Sequence, residues 1–324
     1  MHMKKLVLLV LALLALFSCN NAPNYASRAD AIAAQIHDPS SKYVIVACHR
    51  GDWRNYPENS IPAIESVIAM GADIVEIDLK MTSDSVLVLS HDTNVRRCTN
   101  FSSVFKAEPE KSAQVSDLTF EEIKSLSLKR AHGVAIDSLH MPSLREALLC
   151  CKDRICVNVD QGYQYYDQVL EISEELGVTD QLLIKGKKPI EVVDAIEAAH
   201  EHNMMYMPIV DIQRTKGKAL LDSYMEKGVV PLAYEVCWGR NDGAFEEACE
   251  RIIKQGSKVW VNTIWASLCG GDGNDDDAAF MAGDPGDVYQ QYLDNGVSMI
   301  QTDRPELLIN WLAKKGRHKL NGSF

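Results

Sequence analysis

Two histidines and two acids lie next to apolar runs whose composition is typical of β-strands. His49 follows the first of these runs, and His91 follows the third. Glu76 and Asp78 lie within the second run, two residues apart. Polar side chains at strand ends are typical of functional sites rather than of cores. Because an imidazole titrates near neutral pH, it can accept or donate a proton, and the two histidines predict acid–base chemistry.

The spacing of the two acids predicts a metal site. Glu76 and Asp78 are both in the predicted strand Ile74–Leu79, and residues two apart on a strand point to the same face. Carboxylates that point the same way repel each other unless a cation lies between them. Their oxygens are hard ligands, so we expect one divalent cation, Ca²⁺ or Mg²⁺.

The composition excludes nucleic acid as a partner. The 324 residues are 46% hydrophobic and 24% charged, which is ordinary for a globular protein. The formal net charge is −12, and removing residues 1–18 leaves 31 basic against 45 acidic residues, a net charge of −14. So acidic a chain, without a basic stripe, is not expected to bind nucleic acid. An anionic substrate would need a cation or an arginine in the site.

Strand-like and helix-like runs alternate from residue 42 onward, which predicts an α/β fold with a parallel sheet and helices outside it. The predicted strands are Tyr43–Ala47, Ile74–Leu79, Val86–Ser90, Ile155–Val159, Leu182–Lys185, Tyr206–Val210, Leu232–Val236, Val259–Thr263 and Ser298–Gln301. Predicted helices between them include Ser60–Met70, Leu144–Cys151, Tyr166–Leu176, Ile190–His202 and Gly243–Gln255.

Nine strands are one too many for a TIM (β/α)₈ barrel, and the link between the second and third strands resolves the count. A parallel return needs a crossover of about a dozen residues, whereas Lys80–Ser85 is much shorter. The third strand must therefore run antiparallel to the second. A two-residue turn at Ser83-Asp84 would place His91 opposite Glu76. We predict a TIM barrel with an antiparallel hairpin that returns the second histidine to the acids.

The order of these polar groups resembles that of a known enzyme family. The segments that carry the resemblance are His49-Arg50-Gly51, Pro57-Glu58-Asn59-Ser60, Gly71-Ala72-Asp73-Ile74-Val75-Glu76-Ile77-Asp78, His91-Asp92 and Thr302-Asp303-Arg304-Pro305. They resemble motifs of the glycerophosphodiester phosphodiesterase family, TIM-barrel enzymes related to the phosphoinositide phospholipases C. The resemblance implies hydrolysis of a glycerophosphodiester to glycerol phosphate and an alcohol. It also implies attack by the substrate's own glycerol hydroxyl through a cyclic phosphate.

The resemblance assigns roles to individual residues. His49 and His91 would be the acid and the base, without an indication of which is which. Arg50 would bind the phosphoryl oxygens, a task that suits a planar guanidinium group. Glu58 would either be a further ligand or orient Arg50.

The sequence departs from the family at the third metal ligand, which is a glutamate in a Glu-x-Lys motif on the next barrel strand. Here the segment Asp160-Gln161-Gly162 takes that place. Asp160 is the expected third ligand, with a side chain one methylene shorter, and Gly162 replaces a lysine that would face the phosphate. Lys185, which ends the following strand, would supply the missing charge unless it is an ordinary solvated lysine.

Two late tryptophans lie near a segment that resembles the family's Trp-Thr-Val-Asn region, here Trp260-Val261-Asn262-Thr263. Trp260 and Trp265 would either line the substrate pocket or pack as ordinary aromatic residues.

The start of the chain predicts export from a bacterial cell. Residues 1–18 contain two lysines followed by an apolar run that is too short to span a membrane, which is typical of a signal peptide. Leu16–Cys19 resembles a bacterial lipobox, which implies a lipid on Cys19 after cleavage. The expected location is the cell envelope, in the periplasm or at the outer membrane, with the membrane as a partner through the lipid.

The rest of the chain divides into a tether and a barrel. Residues 19–41 are mostly polar and predict a tether, with a short helix around Ala29–Ile36. Residues 42–324 would form the barrel. Residues of about 94–141 lack clear periodicity, and the resemblance implies that they are an insertion that caps the barrel mouth.

Three functions remain open at this point. The first is metal-dependent hydrolysis of glycerophosphodiesters with two histidines as acid and base. The second uses the same barrel on a phosphoinositol or lysolipid substrate. The third is a lipoprotein that binds phosphodiesters or lipids with impaired catalysis, because of the departures at Asp160 and Gly162.

Overall fold

The strands form a closed barrel. A computed structural model describes residues 23–130 and 133–324 of the chain. The strands are β1 Ile45–Cys48, β2 Ile74–Met81, β3 Leu87–Leu89, β4 Cys156–Asp160, β5 Leu182–Gly186, β6 Met205–Asp211, β7 Ala233–Cys237, β8 Lys258–Asn262 and β9 Met299–Thr302. All strands except β3 pair in parallel with their neighbours. β1 pairs with both β2 and β9, and this closes the ring. β3 pairs antiparallel with β2 outside the ring. The predicted TIM barrel and its hairpin are confirmed.

Helices surround the barrel strands, most of them on the outer face. They are α1 Arg28–His37, α2 Ile61–Met70, α3 Phe101–Val104, α4 Phe120–Lys124, α5 Leu144–Cys151, α6 Tyr166–Leu176, α7 Ile190–Glu197, α8 Thr215–Glu226, α9 Ala244–Gln255, α10 Asp276–Met281, α11 Gly286–Asp294 and α12 Pro305–Lys314. The prediction that α7 extends to His202 is wrong. Asn203 donates from its side chain to the carbonyl of Glu197 at 3.0 Å, which satisfies a carbonyl at the end of that helix.

The inside of the barrel has two layers of side chains. The lower layer, near the amino ends of the strands, is apolar and includes Ile45, Ile74, Leu183, Met207 and Trp260. The upper layer, near the carboxyl ends, is buried but polar and includes Glu76, Asn158, Lys185, Glu235, Asn262 and Gln301. Because alternate residues of a strand share a face, one strand contributes to both layers, as Ile74 and Glu76 do. The polar layer is therefore the floor of the barrel mouth.

Helix α1 closes the bottom of the barrel. Its Ile32 and Ile36 are almost fully buried and belong to the lower apolar layer. Ser27 caps the helix by accepting a hydrogen bond from the N–H of Asp30. The prediction that residues 19–41 form a tether is thus wrong for residues 28–37, which are part of the folded domain.

The hairpin has a different turn from the predicted one. Three residues, 83–85, form the turn, where two were predicted. Ser85 has a left-handed backbone with φ of 64°, a conformation that the sequence does not signal because serine rarely adopts it. The register is therefore shifted by one residue, and its extension places His91 opposite Ile77 rather than Glu76.

The insertion, described over residues 94–130 and 133–141, folds around a small core of its own. Its buried side chains, together with one from β3, are Val88, Val95, Cys98, Phe101, Val115, Leu118, Ile123, Leu126, Leu128 and Met141. Helix α4 begins with a capping box formed by Thr119 and Glu122. The N–H of Phe120 donates to Asp84 at 2.9 Å, so this insertion is fixed to the hairpin that carries His91.

The predicted signal peptide and Cys19 lie outside the described residues. Among residues 23–130 and 133–324, no helix is both long enough and apolar enough to cross a bilayer.

Candidate active site

A cavity of about 220 Å³ opens at the carboxyl ends of the barrel strands. Its lining includes His49, Arg50, Glu76, Asp78, His91, Asp160, Lys185, Glu235 and Trp265. Active sites of TIM barrels form at this end, because residues from several strands and the loops that follow them converge there. Seven of the nine residues predicted as catalytic, metal-binding or substrate-binding therefore share one cavity.

His49 is held by a carboxylate from the other end of the chain. Its Nδ1 lies 2.8 Å from Oδ1 of Asp303, and both side chains are buried. The indole N–H of Trp53 donates to the same oxygen at 2.6 Å. Because a carboxylate only accepts hydrogen bonds, Nδ1 carries the proton, which leaves Nε2 of the imidazole available for chemistry.

Asp303 is itself held by a buried acid. Its backbone N–H donates to Oδ2 of Asp276 at 2.6 Å, while the other Asp276 oxygen accepts from Thr263 and Tyr289 at 2.7 and 2.8 Å. Burial raises the pKa of Asp276 to about 7, against the effect of these donors. Asp276 therefore fixes the position of the loop that carries Asp303. The sequence did not indicate this role, since Asp276 lies in an acidic, glycine-rich loop.

His91 has the same arrangement with a neighbouring carboxylate. Its Nδ1 lies 2.8 Å from Oδ1 of Asp92, and 47% of the side chain is exposed. Arg97 donates from Nε to the other oxygen of Asp92 at 2.5 Å. The hydrogen bond from Arg97 lowers the pKa of Asp92 to about 2, so this carboxylate stays charged beside the imidazole. Both histidines line the cavity, and in each of them Nε2 has no hydrogen-bond partner among the described residues.

Glu76, Asp78 and Asp160 form a cluster whose oxygens lie within 4.8 Å of one another. Asp78 and Asp160 are register partners on β2 and β4, which places them side by side. Asn59 donates to Oδ2 of Asp78 at 2.9 Å and orients it. The N–H of Arg50 donates to Oε2 of Glu76 at 2.7 Å. This cluster can hold one metal ion, and its members are the three residues predicted as ligands.

The backbone conformation at Arg50 and Gly51 allows the N–H of Arg50 to reach Glu76. Arg50 has φ of 53° and Gly51 has φ of 74°, both in the left-handed region. A Cβ on Gly51 would lie 2.9 Å from Cβ of Ala63, so a larger residue does not fit. This is the physical reason for glycine after the histidine and arginine.

The electrostatics of the cluster favour a cation. Burial, reinforced by the charges of Asp78 and Asp160, raises the pKa of Glu76 well above its usual range. Burial alone would also raise the pKa of Asp160, but Lys185 outweighs it and holds that pKa below its ordinary value. With Glu235, four carboxylates line the cavity, and Lys185 is the buried cation among them. A divalent cation among the carboxylates would offset the remaining charge.

Lys185 is buried rather than solvated. Its Nζ lies 2.7 Å from Glu235 and 3.4 Å from Asp160, and it is within 3.3 Å of Oε1 of Gln301. Burial would lower the pKa of Lys185, but Glu235, Asp160 and Glu76 raise it above the ordinary value. Lys185 therefore remains protonated and brings a positive charge to the mouth, and it is not an ordinary solvated lysine.

A lysine cannot replace Gly162 without disturbing the core. A Cβ at this position would lie 2.4 Å from Cγ1 of Val159 and 3.3 Å from Cδ1 of Ile184. The backbone after β4 approaches its own strand too closely for any side chain. The backbone conformation at Gly162 therefore excludes the lysine of the Glu-x-Lys motif. The positive charge comes from Lys185 on β5 instead.

Arg50 and Glu58 form an ion pair beside the cluster. Nη1 of Arg50 lies 3.1 Å from Oε1 of Glu58, and Nε lies 3.4 Å from Oδ2 of Asp78. Among the described residues Nε has no hydrogen-bond partner, although it is buried. Glu58 lies outside the carboxylate cluster, so the structure favours orientation of Arg50 over metal binding.

The two tryptophans have different positions. Trp260 is fully buried in the lower layer, where its N–H donates to Asn262 at 2.8 Å and its ring lies under Nζ of Lys185 at 4.9 Å. The prediction that Trp260 contacts substrate is therefore wrong, because the polar layer covers it. Trp265 is 48% exposed, lines the cavity and packs edge-on to the ring of His49 at 5.3 Å.

Comparison with known proteins decides the family. The model of the glycerophosphoryl diester phosphodiesterase family matches residues 49–223, more than half of the chain. The chain belongs to this family. A second model, for a domain of unknown function, matches residues 206–312. The predicted resemblance is thus confirmed, and the matched range contains all three carboxylates and both histidines.

Relatives support the same assignment. A glycerophosphodiester phosphodiesterase of Caldanaerobacter subterraneus subsp. tengcongensis is 25% identical over 280 residues, which cover 84% of this chain and 99% of that protein. Human glycerophosphodiester phosphodiesterase 1 is 35% identical over 121 residues, but they cover 37% of this chain and only 33% of the human protein.

Solved structures share the fold of this family member. A glycerophosphoryl diester phosphodiesterase from Parabacteroides distasonis has a TM-score of 0.70 and 18% identity, with 94% of this chain and 99% of that one covered. A phosphodiesterase from Oleispira antarctica, solved in complex with the product sn-glycerol-3-phosphate, has a TM-score of 0.61 and 16% identity, with 85% and 99% covered.

Proposed function

We propose that this protein hydrolyses glycerophosphodiesters to glycerol phosphate and an alcohol, with His49 and His91 as the acid and the base. The main support for this proposal is the set of side chains that meet in one cavity. Two imidazoles, each with Nδ1 on a carboxylate, lie at the mouth beside three clustered carboxylates. Family membership and the names of the relatives support the same reaction class.

A divalent cation, Ca²⁺ or Mg²⁺, fits the donor set of Glu76, Asp78 and Asp160. All three donors are carboxylate oxygens, which these ions prefer, and burial together with the charges of Asp78 and Asp160 raises the pKa of Glu76. When bound, such an ion would lower the pKa of a substrate hydroxyl and offset charge that develops on the phosphoryl group.

In the first step, one imidazole acts as a base. Its Nε2 accepts the proton of the glycerol hydroxyl next to the phosphate, and the hydroxyl oxygen attacks phosphorus. The bond between phosphorus and the alcohol oxygen breaks, and the second, protonated imidazole donates its Nε2 proton to that oxygen. Arg50 binds the phosphoryl oxygens with its guanidinium group, whose Nε–H has no hydrogen-bond partner among the described residues. The products of this step are the free alcohol and a cyclic phosphate.

In the second step, water opens the cyclic phosphate and the two imidazoles exchange roles. The histidine that donated a proton now accepts one from water, and the other returns its proton to the glycerol oxygen. The carboxylates of Asp303 and Asp92 keep both rings in the tautomer that this exchange requires. Lys185 partly offsets the negative charge of the floor throughout.

The binding-protein alternative would need a site that has lost its chemical groups. Both histidines retain carboxylate partners, and Asp160 lies with the other two acids despite its shorter side chain. These observations favour an enzyme. A phosphoinositol or lysolipid substrate would use the same residues, so the alcohol is a separate question from the reaction.

We also propose that the protein is exported and anchored by a lipid on Cys19 in a bacterial cell envelope. The support is the sequence at residues 1–19, where an apolar run ends at a cysteine preceded by a small residue.

Incubation with glycerophosphocholine and Ca²⁺ or Mg²⁺ tests the reaction. We expect release of free choline and glycerol phosphate, measured by a coupled choline assay and by ³¹P NMR. A panel with inositol, ethanolamine and lysolipid head groups identifies the preferred alcohol. Tight binding of these compounds without turnover of any of them would favour the binding-protein alternative.

A further inference from the structure

Arg97 lies between two ion pairs at the barrel mouth, Arg50 with Glu58 and His91 with Asp92, and it donates hydrogen bonds to the carboxylate of each pair. It donates from Nη1 and Nη2 to the two oxygens of Glu58 at 2.7 and 2.8 Å, and from Nε to Asp92 at 2.5 Å. Glu58 in turn pairs with Arg50, and Asp92 pairs with His91. A single guanidinium group therefore connects the arginine proposed to bind phosphate with one of the two histidines.

Arg97 orients both carboxylates and stabilises their ionised form. Burial would raise the pKa of Glu58, but the hydrogen bonds from Arg97 and the charges of Arg50 and Arg97 outweigh it and lower that pKa. Three N–H groups in one plane meet three carboxylate oxygens, a geometry that a lysine cannot provide.

The position of Arg97 is set by the insertion. Two nearby side chains, Val95 two residues before it and Cys98 directly after it, are buried in the core of the insertion. The hydroxyl of Thr99 donates to the carbonyl of Val95 at 2.7 Å, which holds the segment in a tight turn. The adjacent Arg96 is exposed, and its guanidinium group lies over the ring of Phe101 at 4.6 Å rather than at the mouth.

We propose that Arg97 is a positioning residue of the catalytic site. By holding Glu58 and Asp92 together, it orients Arg50 and His91 relative to each other and couples the insertion to the barrel mouth. This inference rests on the proposed hydrolysis, since it assigns Arg97 a part in it.

The test compares Arg97→Gln, Arg97→Lys and the matched control Arg96→Gln on glycerophosphocholine at saturating divalent cation. We expect Arg97→Gln to lower kcat/KM by roughly tenfold to a hundredfold, the order expected for a misplaced catalytic group. Both kcat and KM should change, because His91 acts in turnover and Arg50 in binding. Arg97→Lys keeps the charge without the planar fork and should fall between Arg97→Gln and wild type. Arg96→Gln should stay close to wild type.

A double-mutant cycle separates positioning from a merely structural role. Asp92→Asn and Arg97→Gln should be less than additive in kcat, because the second change removes a partner that the first has already lost. Circular dichroism and thermal unfolding of each variant show whether it is folded at the assay temperature, and Arg97→Lys replaces Arg97→Gln should the latter not fold.

Wild-type turnover in a folded Arg97→Gln or Arg97→Lys protein would overturn the inference, as would equal losses in Arg96→Gln and Arg97→Gln. Additive effects in the cycle would also overturn it. Failure of the wild-type protein to hydrolyse any substrate in the panel is a different result, because it removes the proposed function itself.

Discussion

At the scale of single residues, the site consists of charged groups that hold one another in place. His49 and His91 come from different strands, yet each bonds to a carboxylate through Nδ1. Asp303 is 254 residues from His49, whereas Asp92 is adjacent to His91. The first pair depends on closure of the barrel between β1 and β9, and the second depends only on the local loop.

Replacement of either histidine should remove turnover while leaving the fold intact. We expect His49→Ala and His91→Ala each to lower kcat by roughly 10²–10⁴-fold, the usual contribution of a general acid or base. His202, which is half-exposed and paired with Asp180, is a matched control whose change to alanine should leave kcat unaltered. Steady-state kinetics with circular dichroism provide the measurement. A folded variant with normal kcat would remove that histidine from the mechanism.

Much of the site could be predicted from sequence, and the rest depends on distant contacts. The two histidines and the acids of β2 stand in short motifs beside apolar strands, so local pattern was sufficient. Glu235, Asp276 and Asp303 were missed as functional groups because their partners come from other strands and loops. For Trp260 the family resemblance left open whether it lines the pocket or packs in the core, because a sequence motif does not show how deep in the barrel a side chain lies.

At the scale of elements, the strands were predictable because the pattern of buried residues sets them. The turn of the hairpin was not, since its length depends on a left-handed serine. Helix α1 was expected within a tether, but its Ile32 and Ile36 fill the bottom of the barrel. Its role depends on a surface that only the closed barrel presents.

Truncation of one α1 side chain tests whether this helix belongs to the fold. Ile32→Ala should lower the free energy of unfolding by about 2–5 kcal/mol, the usual cost of a large-to-small change in a core. The control Ile253→Ala is on α9, where the side chain is 44% exposed, and should cost less than about 1 kcal/mol. Urea unfolding measures both. Equal, small effects would mean that α1 does not stabilise the barrel.

At the scale of the whole molecule, the start of the described chain and the site lie at opposite ends of the barrel. Tyr25 bonds to Ser323 near α1, at the bottom, whereas the cavity opens at the carboxyl ends of the strands. Cys19 is four residues before Pro23, a reach of about 14 Å at most for an extended chain. A lipid on Cys19 would therefore hold the bottom of the barrel near the membrane, with the mouth facing away from it.

Loss of the anchor should change location without changing catalysis. Cys19→Ser should shift the protein from the membrane fraction to the soluble or unprocessed fraction. Turnover of a water-soluble glycerophosphodiester by the purified protein should stay the same, because the site is at the other end. Cys150→Ser, on the outer helix α5, is the control and should remain with membranes. Cell fractionation decides, and membrane attachment of a processed Cys19→Ser protein would place the anchor elsewhere.

We propose that Glu76, Asp78 and Asp160 hold a divalent cation on which turnover depends. If the ion binds the folded protein and not the unfolded chain, it should raise the free energy of unfolding by about 2.7 kcal/mol when its concentration is a hundredfold above the dissociation constant. Asp160→Asn should weaken the effect, whereas Asp160→Glu should retain it. Asp180→Asn, an exposed acid at the bottom of the barrel, is the control and should behave as wild type.

The most direct measurement is a titration of Ca²⁺ or Mg²⁺ into EDTA-treated protein, with choline release and thermal unfolding followed on the same samples. We expect EDTA to abolish choline release, and one of the two ions to restore it over the same concentration range in which it raises the Tm. Turnover that is indifferent to EDTA, together with no change of Tm from either ion, would contradict the metal site at Glu76, Asp78 and Asp160.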